Sequence, residues 1–209
     1  MSVASIGQKI TLWARRVPTW VIYTGASAWA AWLFWLGLNG QLGPDPVKAL
    51  EHTYGLLALQ FLIAGLCVTP LMRFARISLV KFRRAIGLMA FLYLTLHFLV
   101  WLLLDLQLRW GQIGADLTKR PYIIVGFIAF LLMIPLAVTS ADRLIRRMGP
   151  VVWRRLHRAV YLIAILGAVH FIMQEKVWTT ESLLYLAVVV ILIGLRLIPT
   201  SRQLSRRSA

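Results

Sequence analysis

The chain has 209 residues, 60% of them hydrophobic, and a mean hydropathy of +0.76. These values exclude an ordinary soluble globular domain and indicate a membrane protein with several spans. A single cysteine, Cys67, excludes an internal disulfide, and the absence of a Cys-x-x-Cys-His motif excludes a covalently attached c-type haem. Phosphate-binding loops, nucleophile elbows and zinc-binding helices are also absent from the sequence.

Apolar runs of the length needed to cross the hydrocarbon layer predict six transmembrane helices. In chain order they cover residues 18–38, 54–72, 85–105, 121–140, 157–174 and 182–199. The first run is too long for a signal-peptide core and lacks a small-residue cleavage site, so we interpret it as a retained span. No large soluble domain fits between the runs. Residues 1–209 are therefore predicted to form a single all-α integral membrane domain.

Prolines and polar turns mark several predicted helix ends. Pro70 is predicted to end the second span, Pro121 to begin the fourth, and Pro135 to kink the fourth near its end. The turn-rich segment 39–46 leads into residues 47–52, which are predicted to form a short interfacial helix before the second span.

The net charge of +16 follows the predicted topology. Most of the 23 lysine and arginine residues precede the first span, fill the second and fourth loops, or follow the last span, whereas most acidic residues lie in the other loops. By the positive-inside rule, both termini are predicted to be cytoplasmic. The basic loops would also attract anionic lipid or an acidic donor protein. No nucleic-acid partner is expected.

Three of the four histidines, His97, His157 and His170, lie in or at the ends of apolar segments, where an ionisable group is expensive and usually functional. With cytoplasmic termini, the third and fifth spans run in the same direction. His97 and His170 then lie roughly 18–20 Å from the inner ends of their helices, at about the same depth. Two neutral imidazoles facing each other across a bundle suit a six-coordinate, low-spin haem iron. The alternative is a pair of helix-bridging histidines.

His157 is predicted to lie about 20 Å below His170 on the same helix, although 13 residues at 100° each leave the two side chains about 140° apart on an ideal helix. No histidine on the third span matches its level. A second haem with His157 on one side is one interpretation, and a solvated interfacial histidine is the other. His52 also has two interpretations. It belongs to a site for quinone or a partner protein, or it only contacts lipid headgroups at the helix end.

Arginines near the predicted inner mouth are candidates for contacts with haem propionates, with a flavin phosphate or with a donor protein. They are Arg83, Arg84, Arg154 and Arg155. The alternative for all four is a solvated residue that only sets the topology.

Several motifs, in order and spacing from residue 40 to 175, resemble those of a known family. They are Gly43-Pro44-Asp45-Pro46-Val47-Lys48 with Glu51-His52 and Gly55, Thr69-Pro70-Leu71, Arg83-Arg84 with Gly87-Leu88, Leu96-His97, Arg120-Pro121-Tyr122, Leu136-Ala137 with Thr139-Ser140, Gly149, Trp153 with Leu156-His157, Tyr161 and His170. The chain resembles the haem-binding membrane subunits of the MsrPQ protein-methionine-sulfoxide reductase system, the MsrQ/YedZ family of the ferric-reductase-like transmembrane superfamily.

The resemblance implies a ferric-reductase-like bundle in the bacterial inner membrane that holds one or two b haems. It implies His97, His157 and His170 as haem ligands, and electron flow from the cytoplasmic face to a periplasmic molybdopterin enzyme that reduces methionine sulfoxide in oxidised proteins. Sulfoxide reduction itself is expected on that partner. Family members are also described as binding FMN. The sequence shows no NADPH/FAD domain, so a separate flavin reductase or the quinol pool is expected as the donor.

Two other functions stay open at this stage. A stand-alone membrane reductase of ferric or other metal ions would use the same chemistry without a protein partner. A haemless transporter or assembly scaffold would use the histidines only to bridge helices, although the spans lack the buried carboxylates and paired broken helices typical of ion-coupled carriers.

Overall fold

A computed structural model describes residues 3–175 and 177–198 of the chain. Within these ranges all regular elements are helical, as predicted. The α-helices are α1 (Val3–Arg16), α2 (Trp20–Leu38), α3 (Pro46–Phe74), α4 (Arg83–Leu99), α5 (Trp110–Lys119), α6 (Pro121–Val138), α7 (Asp142–Leu156), α8 (Ala159–Gln174) and α9 (Thr180–Leu197). A 3₁₀ turn, Val80–Phe82, precedes α4, and a π-helical segment, Val100–Asp105, continues it.

Four helical segments among the described residues are long and apolar enough to cross a membrane: Trp20–Leu38, Pro46–Phe74, Val80–Asp105 and Pro121–Val138. Helices α7 and α8, which meet at a bend of 45°, make a fifth candidate when they are taken together. These segments correspond to the first five predicted spans. The sixth predicted span, residues 182–199, overlaps α9, and its last residue lies outside the described part of the chain.

Helix α3 is longer at both ends than predicted. Asp45 caps it by accepting a 3.0 Å hydrogen bond from the Lys48 backbone N–H, and Pro46 occupies the first turn, where the missing amide proton is not needed. Residues 47–52 are therefore part of α3 and not a separate interfacial helix.

Pro70 does not end α3, which continues to Phe74. A proline inside a helix leaves the carbonyl four residues earlier without its usual donor. That carbonyl belongs to Leu66, and it accepts a 2.7 Å hydrogen bond from the Arg196 guanidinium of α9. The helix can continue because a neighbouring helix supplies the missing donor.

The prediction of one continuous helix from His157 to His170 is wrong. Helix α7 ends at Leu156, His157 is its C-cap, and α8 begins at Ala159. The bend lies where composition changes, because α7 is rich in arginine and buries none of its residues, whereas α8 is apolar and packs into the core. The 20 Å rise and the 140° rotation expected along one helix therefore do not apply.

Small side chains let the core helices approach closely, as is common in membrane bundles. Ala90 of α4 and Ala164 and Ala168 of α8 are all 0% exposed. The hydroxyls of Tyr54 and Tyr93 each donate a 2.7 Å hydrogen bond to a backbone carbonyl of α2. Because a buried hydroxyl in apolar surroundings needs a partner, these bonds hold α2 against α3 and α4.

Helix α1 lies outside every predicted span and packs against the loop between α3 and α4. Gly7 meets the backbone carbonyl of Ala75 so closely that a Cβ atom would clash with it. The Ser78 backbone N–H donates to the Thr11 hydroxyl at 3.0 Å, and the Lys81 ammonium donates to the Arg15 carbonyl at 2.7 Å. With its basic residues and exposed apolar side chains, α1 is typical of a helix in the membrane interface.

Candidate functional site

His97 of α4 and His170 of α8 face each other in the bundle. Their ring centroids are 6.1 Å apart, and the ring planes are nearly perpendicular, at 80°. The prediction that the two side chains lie at the same depth is confirmed. Two imidazoles bound to one metal ion at about 2 Å each would have ring centroids roughly 6 Å apart. The spacing therefore matches a pair of axial ligands on opposite sides of one ion.

Backbone carbonyls orient both rings in the same way. Nδ1 of His97 lies 2.8 Å from the Glu51 carbonyl oxygen on α3, and Nδ1 of His170 lies 2.7 Å from the Tyr122 carbonyl oxygen on α6. A carbonyl only accepts, so each Nδ1 carries the proton and donates it. This tautomer leaves both Nε2 lone pairs free, as in histidine ligands of metals.

Two glycines make room for the rings. Gly55 lies four residues after Glu51 on α3, and Gly126 lies four residues after Tyr122 on α6. A Cβ atom at Gly55 would lie 2.9 Å from Nδ1 of His97, and one at Gly126 would lie 2.7 Å from Nδ1 of His170. Each histidine thus packs on a glycine and bonds to the carbonyl one turn earlier. Gly55 belongs to one of the family motifs in the sequence, whereas nothing in the sequence distinguishes Gly126, because small residues are common in membrane helices.

The two rings line a cavity of about 380 Å³, which we call the histidine cavity. Such a volume is in the range of sites for small molecules and cofactors. Most of its wall is apolar and includes the ring of Phe98, whose centroid lies 4.8 Å from that of Phe130 and 6.0 Å from that of Phe127. His52 also lines this cavity but is exposed, and its ring contacts Phe171 at 5.8 Å.

The donor set fits haem better than it fits a bare metal ion. Among the described residues, no three His, Cys, Asp or Glu side chains come together as a metal site. A protein that offers only two opposed imidazoles leaves the equatorial positions of an ion to another ligand, and a porphyrin supplies four nitrogens there. The two free Nε2 atoms, and the packing of both rings on Gly55 and Gly126, also fit a bound haem.

A second cavity of about 810 Å³ lies toward the other end of the bundle, and we call it the arginine cavity. Its cationic lining residues are Arg83, Arg84, Arg154, Arg155, Arg158 and Arg196. The first four are the predicted contact arginines, and the structure places all of them at this cavity. Arg83 donates to the Thr69 hydroxyl, and Arg84 forms a 2.6 Å ion pair with Asp142.

His157 also lines the arginine cavity. Its Nδ1 lies 3.2 Å from the Trp153 carbonyl oxygen, and its ring stacks on the Trp153 indole with centroids 3.9 Å apart. Its Nε2 is buried and has no hydrogen-bond partner among the described residues. Within the described lining of this cavity no other histidine occurs, so the paired arrangement of the first cavity is not repeated here.

Arg196, near the end of the last predicted span, also lines the arginine cavity, although the sequence predicts for it only a role in setting the topology. It donates 2.7 Å hydrogen bonds to the Tyr161 hydroxyl and to the Leu66 carbonyl, and its buried Nε has no partner among the described residues. The available signal was an arginine inside the last apolar run, where a charge is usually functional.

Fold and site together define a class: helical membrane proteins with an opposed histidine pair in the bundle core. The profile described as "Ferric reductase like transmembrane component" matches residues 52–168. The chain belongs to this family. It is also similar to curated relatives named protein-methionine-sulfoxide reductase heme-binding subunit MsrQ, which confirms the family resemblance seen in the motifs.

The relative from Brucella ovis is 44% identical over 178 residues, which cover 85% of this chain and 80% of the relative. The relative from Brucella anthropi is 41% identical over 197 residues, which cover 94% of this chain and 89% of the relative. No solved structure matches the chain.

Proposed function

We propose that this chain is the haem b-binding electron-transfer subunit of a methionine sulfoxide reductase system in the bacterial inner membrane. It would pass electrons from a cytoplasmic flavin reductase or the quinol pool to a periplasmic molybdopterin reductase that repairs oxidised proteins. The observation that carries the proposal is the opposed pair His97 and His170. Their ring centroids are 6.1 Å apart, and both Nε2 lone pairs are free to bind a metal. The names of the curated relatives support haem as the ligand.

His97 and His170 would hold the haem iron through their Nε2 atoms. When bound, haem b supplies a one-electron couple within the bundle. The carbonyls of Glu51 and Tyr122 hold the ligand rings in one tautomer and one orientation. These hydrogen bonds make each imidazole more basic and fix the orientation of its ring before haem binds. The mostly apolar wall limits the access of water to the site.

His157 is our candidate ligand for a second haem, in the arginine cavity. Its support is the buried Nε2 without a partner, since an unpartnered polar atom in an apolar wall needs an explanation. Arg83, Arg84 and Arg155 would neutralise the carboxylates of that haem, or the phosphate of FMN if a flavin occupies the cavity. Both ligands are anionic, which suits a cavity lined by several arginines.

Replacing His157 by alanine is expected to remove a separable part of the bound haem and to leave the histidine cavity loaded. The reason is that His157 lies in the other cavity, beyond the bend between α7 and α8. The pyridine haemochrome method would measure the haem bound per chain. A loss of all haem would contradict the assignment of separate sites. An unchanged haem content together with loss of bound FMN would assign the cavity to the flavin.

The orientation that we propose has six spans and both termini in the cytoplasm. It places the arginine cavity at the cytoplasmic face, where the basic loops favour an anionic surface. The histidine cavity then lies toward the periplasm, near the acidic loops. Fusion of a reporter that is active only in the cytoplasm to either terminus tests this orientation, and an inactive fusion at both ends would reverse it.

The first test of the function is a dithionite-reduced minus oxidised optical spectrum of the detergent-purified protein. We expect a low-spin b-type spectrum and, because the ring planes lie at 80°, a strongly anisotropic low-spin electron paramagnetic resonance signal. A folded protein without haem after haem supplementation would overturn the proposal and favour a scaffold. Rapid oxidation of the reduced protein by a ferric chelate, with no transfer to the partner reductase, would favour a stand-alone metalloreductase.

A further inference from the structure

The histidine cavity has one charged end and one apolar end. Its charged lining residues are Lys48, Glu51, Asp105 and Arg120. They come from the start of α3, the end of the π-helical segment and the residue before α6. The opposite end is lined by side chains such as Leu59, Leu62, Ala129 and Ile163. A ligand with both a polar edge and an apolar edge would therefore bind in one orientation.

The hydrogen bonds of the histidines fix where the charged end lies. His97 bonds to the carbonyl of Glu51, and Lys48 lies one turn before that residue on α3. His170 bonds to the carbonyl of Tyr122, and Arg120 lies two residues before it, at the N-cap of α6. Lys48 and Arg120 thus lie beyond the ligand pair on the same side. They are the two cations among the described lining residues of this cavity.

Two helix N-termini add partial positive charge at the charged end of the cavity. Both α3 and α6 begin here, so the positive ends of two helix dipoles point toward the same mouth. Carboxylates are stabilised at helix N-termini and by nearby cations. At the apolar end the same groups would lose their hydration without replacement, which is far more costly.

Both cations have donors to spare. The Lys48 ammonium contacts Asp105 at 2.7 Å and Glu51 at 3.1 Å, and Arg120 contacts Asp116 at 3.2 Å. An ammonium has three donors and a guanidinium has five. Each side chain is 52% exposed, so donors not used in these ion pairs can reach a carboxylate at the mouth of the cavity.

We propose that Lys48 and Arg120 bind the two propionate carboxylates of haem held between His97 and His170. This inference rests on the proposed function and adds an orientation to it. The propionate edge faces the mouth formed by the N-termini of α3 and α6, and the vinyl edge faces the apolar end. The cations then select haem by its carboxylates, whereas the histidines select it by its iron.

The test compares binding of protohaem and of its dimethyl ester to the full chain in detergent. The ester keeps the iron and the macrocycle but lacks both carboxylate charges. We expect the wild type to bind protohaem about tenfold to a hundredfold more tightly than the ester, as charge-assisted hydrogen bonds imply. The variant with both Lys48→Met and Arg120→Met should bind the two haems equally well. Lys119→Met is the matched control, because Lys119 is exposed nearby and does not line the cavity.

The charge-conserving variants Lys48→Arg and Arg120→Lys should keep the preference for protohaem, which separates charge from folding. If the double variant binds neither haem, the test relies on the single variants Lys48→Met and Arg120→Met. Each single variant should lose part of the preference for protohaem over the ester. Each should also lower the midpoint potential with protohaem bound, because a positive charge beside the haem is lost. An equal preference in the wild type and the methionine variants would overturn the inference while leaving the histidine ligands intact. Failure of the wild type to bind either haem would instead overturn the proposed function.

Discussion

Alanine at His97 or at His170 is expected to abolish low-spin haem binding at the histidine cavity. Each replacement removes one of the two opposed imidazoles. The other histidine in the described lining of the cavity, His52, is exposed. The reduced-minus-oxidised spectrum and the haem bound per chain would measure the loss. The expected result is loss of the low-spin signal in both variants, with at most a weakly held five-coordinate fraction.

His52→Ala is the matched control, because His52 lines the same cavity but is exposed and its ring packs against Phe171. It should retain the low-spin spectrum. His170→Gly offers a second control, since added imidazole can enter the space that the ring leaves and restore a six-coordinate spectrum. Full haem content and an unchanged spectrum in His97→Ala or His170→Ala would contradict the ligand assignment.

Gly126→Ala is expected to weaken haem binding at the histidine cavity by displacing the His170 ring. The new Cβ atom would lie 2.7 Å from Nδ1 and 2.8 Å from Cε1 of His170, so the ring must move. Movement breaks the hydrogen bond to the Tyr122 carbonyl and displaces Nε2 from the position opposite His97. Overpacking of this kind costs about 1–3 kcal/mol. We expect reduced haem content and a high-spin fraction in the optical spectrum.

Gly25→Ala in α2 is the control for this change, because a Cβ atom there meets nothing within 4 Å. Alanine is favoured over glycine inside a helix by about 1 kcal/mol, so the control should be neutral or stabilising. The two variants therefore differ in the sign of their effect. A low-spin spectrum of full intensity in Gly126→Ala would show that the ring does not depend on this close approach.

The equal depth of His97 and His170 was predictable because each lies inside a continuous helix with a constant rise per residue. The position of His157 was not, because a bend of 45° separates it from α8. The position of His157 at the arginine cavity depends on how α7 and α8 pack. The bend angle between these helices cannot be predicted from the spacing of residues in the sequence.

Pro70 is a second case in which the sequence alone was not enough. It predicts the end of a helix, since proline removes a backbone hydrogen-bond donor. The outcome depended on Arg196, more than 100 residues later, whose guanidinium supplies the donor to Leu66. Only contact between α3 and α9 could reveal this compensation. The role of Gly126 could not be predicted from the sequence either, because it depends on the close approach of the His170 ring from another helix.

Hydropathy and charge, read from the sequence alone, determined that this is a helical membrane protein, and motif order determined its family. These properties are local or additive along the chain, so residue identities are enough to predict them. The tertiary structure decided which groups meet: the carbonyls that orient the histidines, the glycines that admit them, and the cations at the mouth of their cavity. Such contacts join residues from different helices, and their distances follow from helix packing, which no single segment specifies.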